Sequence, residues 1–151
     1  FNFIGAGYLK ENYRLILNQC DNVSFYDKMD RFSLIKELTK SDLVFISWMD
    51  LPKLYQYGVS AQKYYDYMAA GIPILSAQNG INDPVKQSGC GIIIENTSEG
   101  IRTGINRFLM LSEKERNEMG QRGRNYVKSF TYEKMAEKYI EIFHQFKIWA
   151  C

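Results

Sequence analysis

The stretch that decides the fold is residues 58–75, GVSAQKYYDYMAAGIPIL, which combines a helix start, a polar helical face, a helix stop and a strand. Ser60 is a favourable N-cap residue, because its hydroxyl can accept a hydrogen bond from a backbone N–H of the first turn. Gly71 favours the end of the helix, and Pro73 prevents its continuation. The pattern therefore predicts a helix over residues 60–70 and a buried strand over residues 72–75.

Lys63 and Asp66 are three residues apart on this predicted helix, so they share one face near its N-terminus. A helix N-terminus carries a positive partial charge and free N–H groups, which favour a bound anion such as a phosphate. The alternative is an ordinary solvent-exposed ion pair, which contributes little to stability. Both interpretations remain open from the residues alone.

Strand and helix patterns alternate on both sides of this stretch. Short apolar runs predict further strands at residues 2–4, 23–26, 43–46 and 91–94. Helical spacing of apolar residues predicts helices at residues 8–20, 31–40 and 84–88. This alternation predicts an α/β fold with a Rossmann-like, doubly wound parallel sheet. Residues 98–146 hold three helical segments and no strand pattern, which predicts a helical C-terminal tail.

The last tail segment begins at Thr131, a predicted N-cap, and carries an apolar stripe: Met135, Tyr139, Ile142, Phe143 and Phe146. The simplest interpretation is that the stripe packs on the rest of the chain. If part of the stripe is exposed instead, it indicates an interface.

Length and composition indicate one globular domain over residues 1–151. The net charge of +2 is too small to argue for nucleic acid as a partner. Three widely spaced cysteines have no metal-ligand spacing and favour reduced thiols in a cytoplasmic compartment. No apolar run reaches the roughly 20 residues that span a bilayer. Because residue 1 is Phe, we expect the chain to be part of a longer protein.

A second glycine-containing turn follows the first predicted strand. Gly5 and Gly7 permit close backbone approach to a ligand, although a tight turn alone would explain them equally well. Asp27 ends the second strand about 20 residues later, where a dinucleotide-binding fold places its ribose-binding acid. The third glycine of that fingerprint falls on Lys10, so an NAD-binding module stays a weaker alternative.

The pattern around residues 58–75 resembles the donor-site segment of the C-terminal domain of GT-B glycosyltransferases, especially the family-four enzymes that build bacterial surface polysaccharides. The resemblance continues through several downstream motifs: Asn82-Asp83-Pro84-Val85, Ser88-Gly89-Cys90-Gly91, Glu115-Arg116, Met119-Gly120 and Phe130-Thr131-Tyr132. It therefore covers most of the chain.

The resemblance implies the donor-binding domain of a retaining enzyme, with a UDP-sugar or another nucleoside-diphosphate sugar as substrate. It places the diphosphate at Ser60, its neutralising and catalytic cation at Lys63, the ribose on Asp66, and the turn of Gly5 and Gly7 against the phosphates. It implies no cofactor and no metal.

The resemblance also implies partners for the full-length protein. These are a saccharide or lipid-linked acceptor, an N-terminal acceptor domain, and peripheral association with the cytoplasmic face of the inner membrane. The product would be a capsule, O-antigen or exopolysaccharide, and the part seen here would be inactive alone. Many members carry a second Glu where this chain has Gly58. The remaining alternatives are a nucleotide- or NAD-binding module without transferase activity and a sugar-nucleotide epimerase of GT-B shape.

Overall fold

The computed structural model describes residues 1–49, 51–57, 61–78 and 82–146. The chain divides into two compact units, Phe1–Glu37 and Leu38–Cys151. Each unit is described by itself below. Helices and strands alternate in both units up to the last strand, as the sequence predicted.

The first unit contains a two-stranded parallel sheet. Strand β1 (Asn2–Ile4) pairs with β2 (Ser24–Tyr26), so that Phe3 lies opposite Phe25 and their rings stack with centroids 5.1 Å apart. Helix α1 (Lys10–Leu17) connects the two strands, which need a crossover because they are parallel. Helix α2 (Arg31–Leu38) follows β2.

The second unit contains a three-stranded parallel sheet in the order β3-β4-β5. Its strands are β3 (Val44–Ser47), β4 (Ile74–Ala77) and β5 (Gly91–Ile93). A four-residue helix, α3 (Pro52–Tyr55), was not predicted. Helix α4 (Gln62–Ala70) leads into β4, and α5 (Pro84–Ser88) leads into β5. The tail consists of α6 (Ser98–Leu109), α7 (Glu113–Val127) and α8 (Tyr132–Gln145).

Strand β4 is the centre of the second unit, because all four of its residues are buried. It starts at Ile74, two residues after the predicted start. The core around it contains Leu75, Ala77, Ile92, Ile94, Phe108 and Met119. Helix α6 lies directly against this sheet, since a Cβ atom on Gly104 would come within 2.6 Å of both Leu75 and Ile94.

Helix α7 packs against the C-terminal end of α4. Gly71 ends α4 in the left-handed conformation, with φ of 73°, as the sequence predicted. Its carbonyl oxygen would lie 2.0 Å from a Cβ atom on Gly120, so the two backbones meet without a side chain between them. Arg124 Nη2 donates to the Ala70 carbonyl at 2.8 Å. This contact satisfies one of the carbonyls that a helix end leaves unpaired.

The last helix, α8, has its predicted N-cap, because the Thr131 hydroxyl accepts a hydrogen bond from the Lys134 N–H. None of its residues is buried. Tyr139, Ile142 and Phe146 of the apolar stripe are exposed. The interpretation that the stripe is packed into the core is therefore wrong for these three residues.

Candidate functional site

The first turn of α4 is the centre of the candidate site. The helix begins at Gln62 with Ala61 as its N-cap residue, and no side chain of the described residues makes a capping hydrogen bond. The prediction of Ser60 as the N-cap of α4 is therefore wrong by one residue. Ser60 itself lies outside the described residues, as do Gly58 and Val59. Alanine has no side-chain acceptor, so the capping group that it supplies to the first turn is its carbonyl, which accepts the Tyr64 N–H at 3.1 Å.

Lys63 and Asp66 occupy the second and fifth positions of α4. Lys63 is exposed, while Asp66 is partly buried, and both lie in the first half of the helix. The structure thus places a solvent-accessible ammonium group in the first turn of a helix that has no side-chain cap within the described part of the chain. Such a position favours an anionic ligand, because the helix dipole and the cation act in the same direction.

The buried side of this turn carries a cluster of hydrogen-bonded side chains, here named the Tyr64 cluster: Trp48, Tyr64, Ser76, Gln78 and Asp83. Trp48 Nε1 donates to the Tyr64 hydroxyl at 3.0 Å, and that hydroxyl donates to Gln78 Oε1 at 2.6 Å. The Tyr64 and Ser76 oxygens lie 3.4 Å apart, and Ser76 Oγ donates to Asp83 Oδ2 at 3.3 Å. The cluster therefore joins the ends of β3 and β4 to the first turn of α4.

Two ionisable groups of the Tyr64 cluster are perturbed. Burial raises the pKa of the Tyr64 hydroxyl, so Tyr64 stays protonated and can donate at neutral pH. Burial also raises the pKa of Asp83, although hydrogen bonds to its carboxylate oppose this effect. Asp83 is the N-cap of α5, because its Oδ1 accepts the Val85 N–H at 2.8 Å.

The Tyr64 cluster was not predicted from the sequence. The sequence did contain one indication of polar contacts, because Ser76 lies within an otherwise apolar strand and Gln78 directly follows that strand. That signal did not identify Tyr64 as their partner. Of the loop residues after the two strands, Asp50, Asn79 and Gly80 lie outside the described residues, and Tyr57 is exposed.

The glycine turn after β1 belongs to the first unit. Gly5 has φ of 153°, a conformation that side-chain-bearing residues rarely adopt, whereas Gly7 carries no such constraint. A Cβ atom on either glycine would meet no atom within 4 Å. The packing of the described chain therefore does not require glycine at position 7. Gly5 and Gly7 lie in one unit, and Lys63 and Asp66 lie in the other.

Asp27, the acid of the dinucleotide-binding alternative, forms an ion pair in the first unit. Lys10 Nζ lies 2.6 Å from Asp27 Oδ1 and also donates to the Tyr26 carbonyl at 2.8 Å. The hydrogen bond from Lys10 lowers the pKa of Asp27. Lys10 thus stands where a third glycine would open the turn, and its ammonium engages the carboxylate that a ribose would need. This pair counts against an NAD-binding site here.

Two further findings concern other kinds of site. Over the described parts of the chain, no group of three or more His, Cys, Asp or Glu side chains is arranged to hold a metal ion. The helices that the structure describes are all too short or too polar to cross a membrane.

The sequence profile of the family described as "Glycosyl transferase-like" matches residues 1–141. The chain belongs to this family. Comparison with the curated protein sequences found no match. The family assignment agrees with the resemblance that the α4 segment indicated.

Two solved structures show the same fold. A sucrose-phosphate synthase from Thermosynechococcus elongatus superposes on 97% of this chain with a TM-score of 0.75 and 18% identity. WaaG, a glycosyltransferase involved in lipopolysaccharide biosynthesis, superposes on 93% with a TM-score of 0.66 and 17% identity. The chain spans only 38% and 37% of these proteins. The fold of this glycosyl transferase-like chain is therefore the Rossmann-like α/β fold of GT-B enzymes.

Proposed function

We propose that this chain binds the nucleoside-diphosphate-sugar donor of a retaining glycosyltransferase, with UDP as the nucleotide. The family assignment supports sugar transfer in general. The observation that carries the more specific proposal is the exposed Lys63 in the first turn of α4, which has no side-chain cap among the described residues. A diphosphate is the part of a sugar donor that such a turn would bind most strongly, since both the dipole and the ammonium favour a negative charge.

The proposed roles of the site residues follow from their chemistry. Lys63 neutralises the diphosphate and stabilises the charge that develops on it as the sugar leaves, which makes it the catalytic cation. Asp66 accepts hydrogen bonds from the two ribose hydroxyls. Ser60 contributes its hydroxyl to the phosphates.

The donor site needs no metal ion in this proposal. In many phosphate sites a divalent cation screens the charge of the diphosphate, and here Lys63 and the N–H groups of α4 do so instead. The proposal therefore includes binding of the donor in the presence of a metal chelator.

The proposal for the full-length protein includes a second, N-terminal domain that holds a saccharide or lipid-linked acceptor. Transfer requires that the acceptor hydroxyl be held against the sugar carbon, and a separate domain provides that orientation. We place the enzyme in the cytoplasm, in peripheral contact with the inner membrane, in the synthesis of a cell-surface polysaccharide.

The first experiment is a thermal-shift comparison of UDP, UDP-sugars, GDP and NADH. We expect UDP or a UDP-sugar to raise the unfolding temperature more than NADH does, because Lys10 engages Asp27 whereas Lys63 is accessible. At a hundredfold excess over the dissociation constant, binding adds about 2.7 kcal/mol to the free energy of unfolding. Selective stabilisation by NADH would contradict the proposal.

Variants at Lys63 and Asp66 test the separate roles. Lys63→Ala should weaken UDP binding about tenfold and leave uridine almost unaffected, because it removes a phosphate partner. Asp66→Ala should weaken the binding of UDP and the binding of uridine by the same factor. Lys114→Ala is the matched control, since Lys114 is also the exposed second residue of a helix, α7. If both site variants bound UDP as the parent does, Lys63 and Asp66 would be ordinary surface residues.

A further inference from the structure

The hydrogen bonds of the Tyr64 cluster fix the first turn of α4 from its buried side. Tyr64 is completely buried and directly follows Lys63 in the chain. Its hydroxyl contacts side chains from the end of β3 and the end of β4. These hydrogen bonds therefore hold the side chain of the residue next to Lys63 against the ends of both strands.

Other described anchors of α4 are the ring contact of Tyr65 with Phe130, with centroids 5.2 Å apart, and contacts farther along the helix. The Ala61 N-cap makes no side-chain hydrogen bond. The close contacts with α7 occur at Met68 and Gly71, where Cβ atoms on Gly123 and Gly120 would meet α4. Arg124 binds the Ala70 carbonyl in the same region. Tyr64 is the residue that connects the first turn to the strand ends by hydrogen bonds.

The direction of each hydrogen bond at Tyr64 is determined by its partners. The indole N–H of Trp48 can only donate, so the Tyr64 oxygen accepts it and the phenol hydrogen points to Gln78 Oε1. This arrangement turns Gln78 Nε2 away from Tyr64. Gln78 is only 5% exposed, and Nε2 has no hydrogen-bond partner among the residues that the structure describes.

Because it contains an unpaired buried donor, the Tyr64 cluster stabilises the fold less than apolar residues of the same shape would. Such a group loses its hydration without compensation, whereas apolar residues of similar shape would avoid this loss. A buried donor of this kind calls for an explanation, and a role of the cluster in positioning the first turn of α4 supplies one.

We propose that Tyr64 is a positioning residue for the donor diphosphate. Its hydroxyl holds the first turn of α4 against the ends of β3 and β4, and so sets where the Lys63 ammonium stands. This inference rests on the proposed function, because it assigns a purpose to the position of Lys63. It adds a residue to which the resemblance gave no role.

A double-mutant cycle between Tyr64 and Lys63 tests this inference. The binding of UDP and of uridine is measured by calorimetry for the parent, Tyr64→Phe, Lys63→Ala and the double variant. We expect Tyr64→Phe to weaken UDP binding about fivefold, which is the effect of about one lost hydrogen bond, and to leave the affinity for uridine unchanged. In the Lys63→Ala background the same change should have no further effect, because the two residues act through one contact.

Tyr67→Phe is the matched control, since Tyr67 is a partly buried tyrosine of the same helix outside the cluster. It should bind UDP as the parent does. The double variant Tyr64→Phe, Gln78→Met removes the unpaired donor as well. Both this variant and Tyr64→Phe leave the Trp48 indole N–H without its acceptor, so the double variant should unfold at the same temperature as Tyr64→Phe or higher. It should still bind UDP more weakly than the parent.

Several outcomes would overturn the inference while leaving the proposed function intact. These are additive losses in the cycle, an equal loss for uridine, or a lower unfolding temperature of Tyr64→Phe with unchanged UDP affinity. If Tyr64→Phe does not fold, Trp48→Phe removes the indole donor to the Tyr64 hydroxyl, and unchanged UDP affinity in that variant would equally overturn the inference. A folded parent that binds neither UDP nor a UDP-sugar would instead refute the proposed function.

Discussion

At the scale of single residues, Asp83 combines a structural role with an unfavourable environment. Its carboxylate caps α5 through the Val85 N–H, and it lies almost fully buried beside Ser76. Burial raises its pKa in the folded state above the unfolded value. The folded protein therefore holds the proton more tightly than the unfolded chain does. The protonated Asp83 carboxyl therefore stabilises the fold fully at pH values below its unfolded pKa. This stabilisation is lost as the pH rises through its folded pKa.

Asp83→Asn should consequently stabilise the fold at neutral pH. Asparagine is an equally good N-cap, and its side-chain oxygen can still accept from Val85, but it carries no charge to bury. We expect a higher free energy of unfolding than that of the parent at pH 7, with the difference shrinking towards pH 4. Urea unfolding at pH 7 and at pH 4, followed by circular dichroism, measures the free energy of unfolding of the parent and of the variant.

Asp30→Asn provides a control of opposite sign. Asp30 accepts the backbone N–H groups of Phe32 and Ser33, and hydrogen bonds from Ser33 lower its pKa. The stability due to this carboxylate is present above its unfolded pKa and is lost as pH falls through the lowered folded pKa. Asp83→Asn and Asp30→Asn should therefore change the free energy of unfolding at pH 7 in opposite directions. A change in the same direction for both variants would contradict the assignment for Asp83.

At the scale of elements, the contact between α4 and α7 depends on a close approach of two backbones. Gly120→Ala should reduce the free energy of unfolding by about 3 kcal/mol, because its Cβ would lie 2.0 Å from the Gly71 carbonyl oxygen. Chemical unfolding measures the loss. Gly123→Ala on the same helix is the matched comparison, since its Cβ would meet Cys90 at 3.1 Å and Met68 at 3.4 Å. Equal losses would show that backbone separation does not limit this contact.

The ends of several helices could be predicted from the residues next to them in the sequence. Thr131 caps α8 as predicted, and Gly71 ends α4 as predicted. The complete capping box belongs to α7, where Ser112 and Glu115 bond reciprocally, and it was not identified from the sequence. Ser60 was assigned one position too early. Caps are predictable because their donors and acceptors lie within four residues of each other, although the exact start of a helix is less well determined.

At the scale of the whole molecule, the exposed stripe of α8 predicts association. Tyr139, Ile142 and Phe146 place apolar surface on one helix, and Phe146 is 71% exposed. We expect the chain to self-associate weakly at high concentration, because burial of this surface is favourable. Sedimentation equilibrium should show a monomer for Tyr139→Glu, Phe146→Glu. A parent that is strictly monomeric, or a variant that unfolds, would show that the stripe supports the fold instead.

The sequence by itself determined the local structure of this protein. It determined the α/β alternation, because buried parallel strands are short apolar runs and the helices between them repeat every three to four residues. It determined the end of α4, since Gly71 and Pro73 act through backbone conformation alone. The predicted site residues Lys63 and Asp66 likewise lie on α4 as the helical spacing required.

Only the tertiary structure decided which distant residues meet. The Tyr64 hydroxyl contacts residues 12 to 16 positions away, and the Lys10 to Asp27 pair spans 17 positions. The exposure of the α8 stripe and the close approach of Gly120 to Gly71 were decided in the same way. Hydrogen bonds and packing contacts of this kind depend on distances in space. The periodicity of a sequence determines only which side of its own helix or strand a residue occupies.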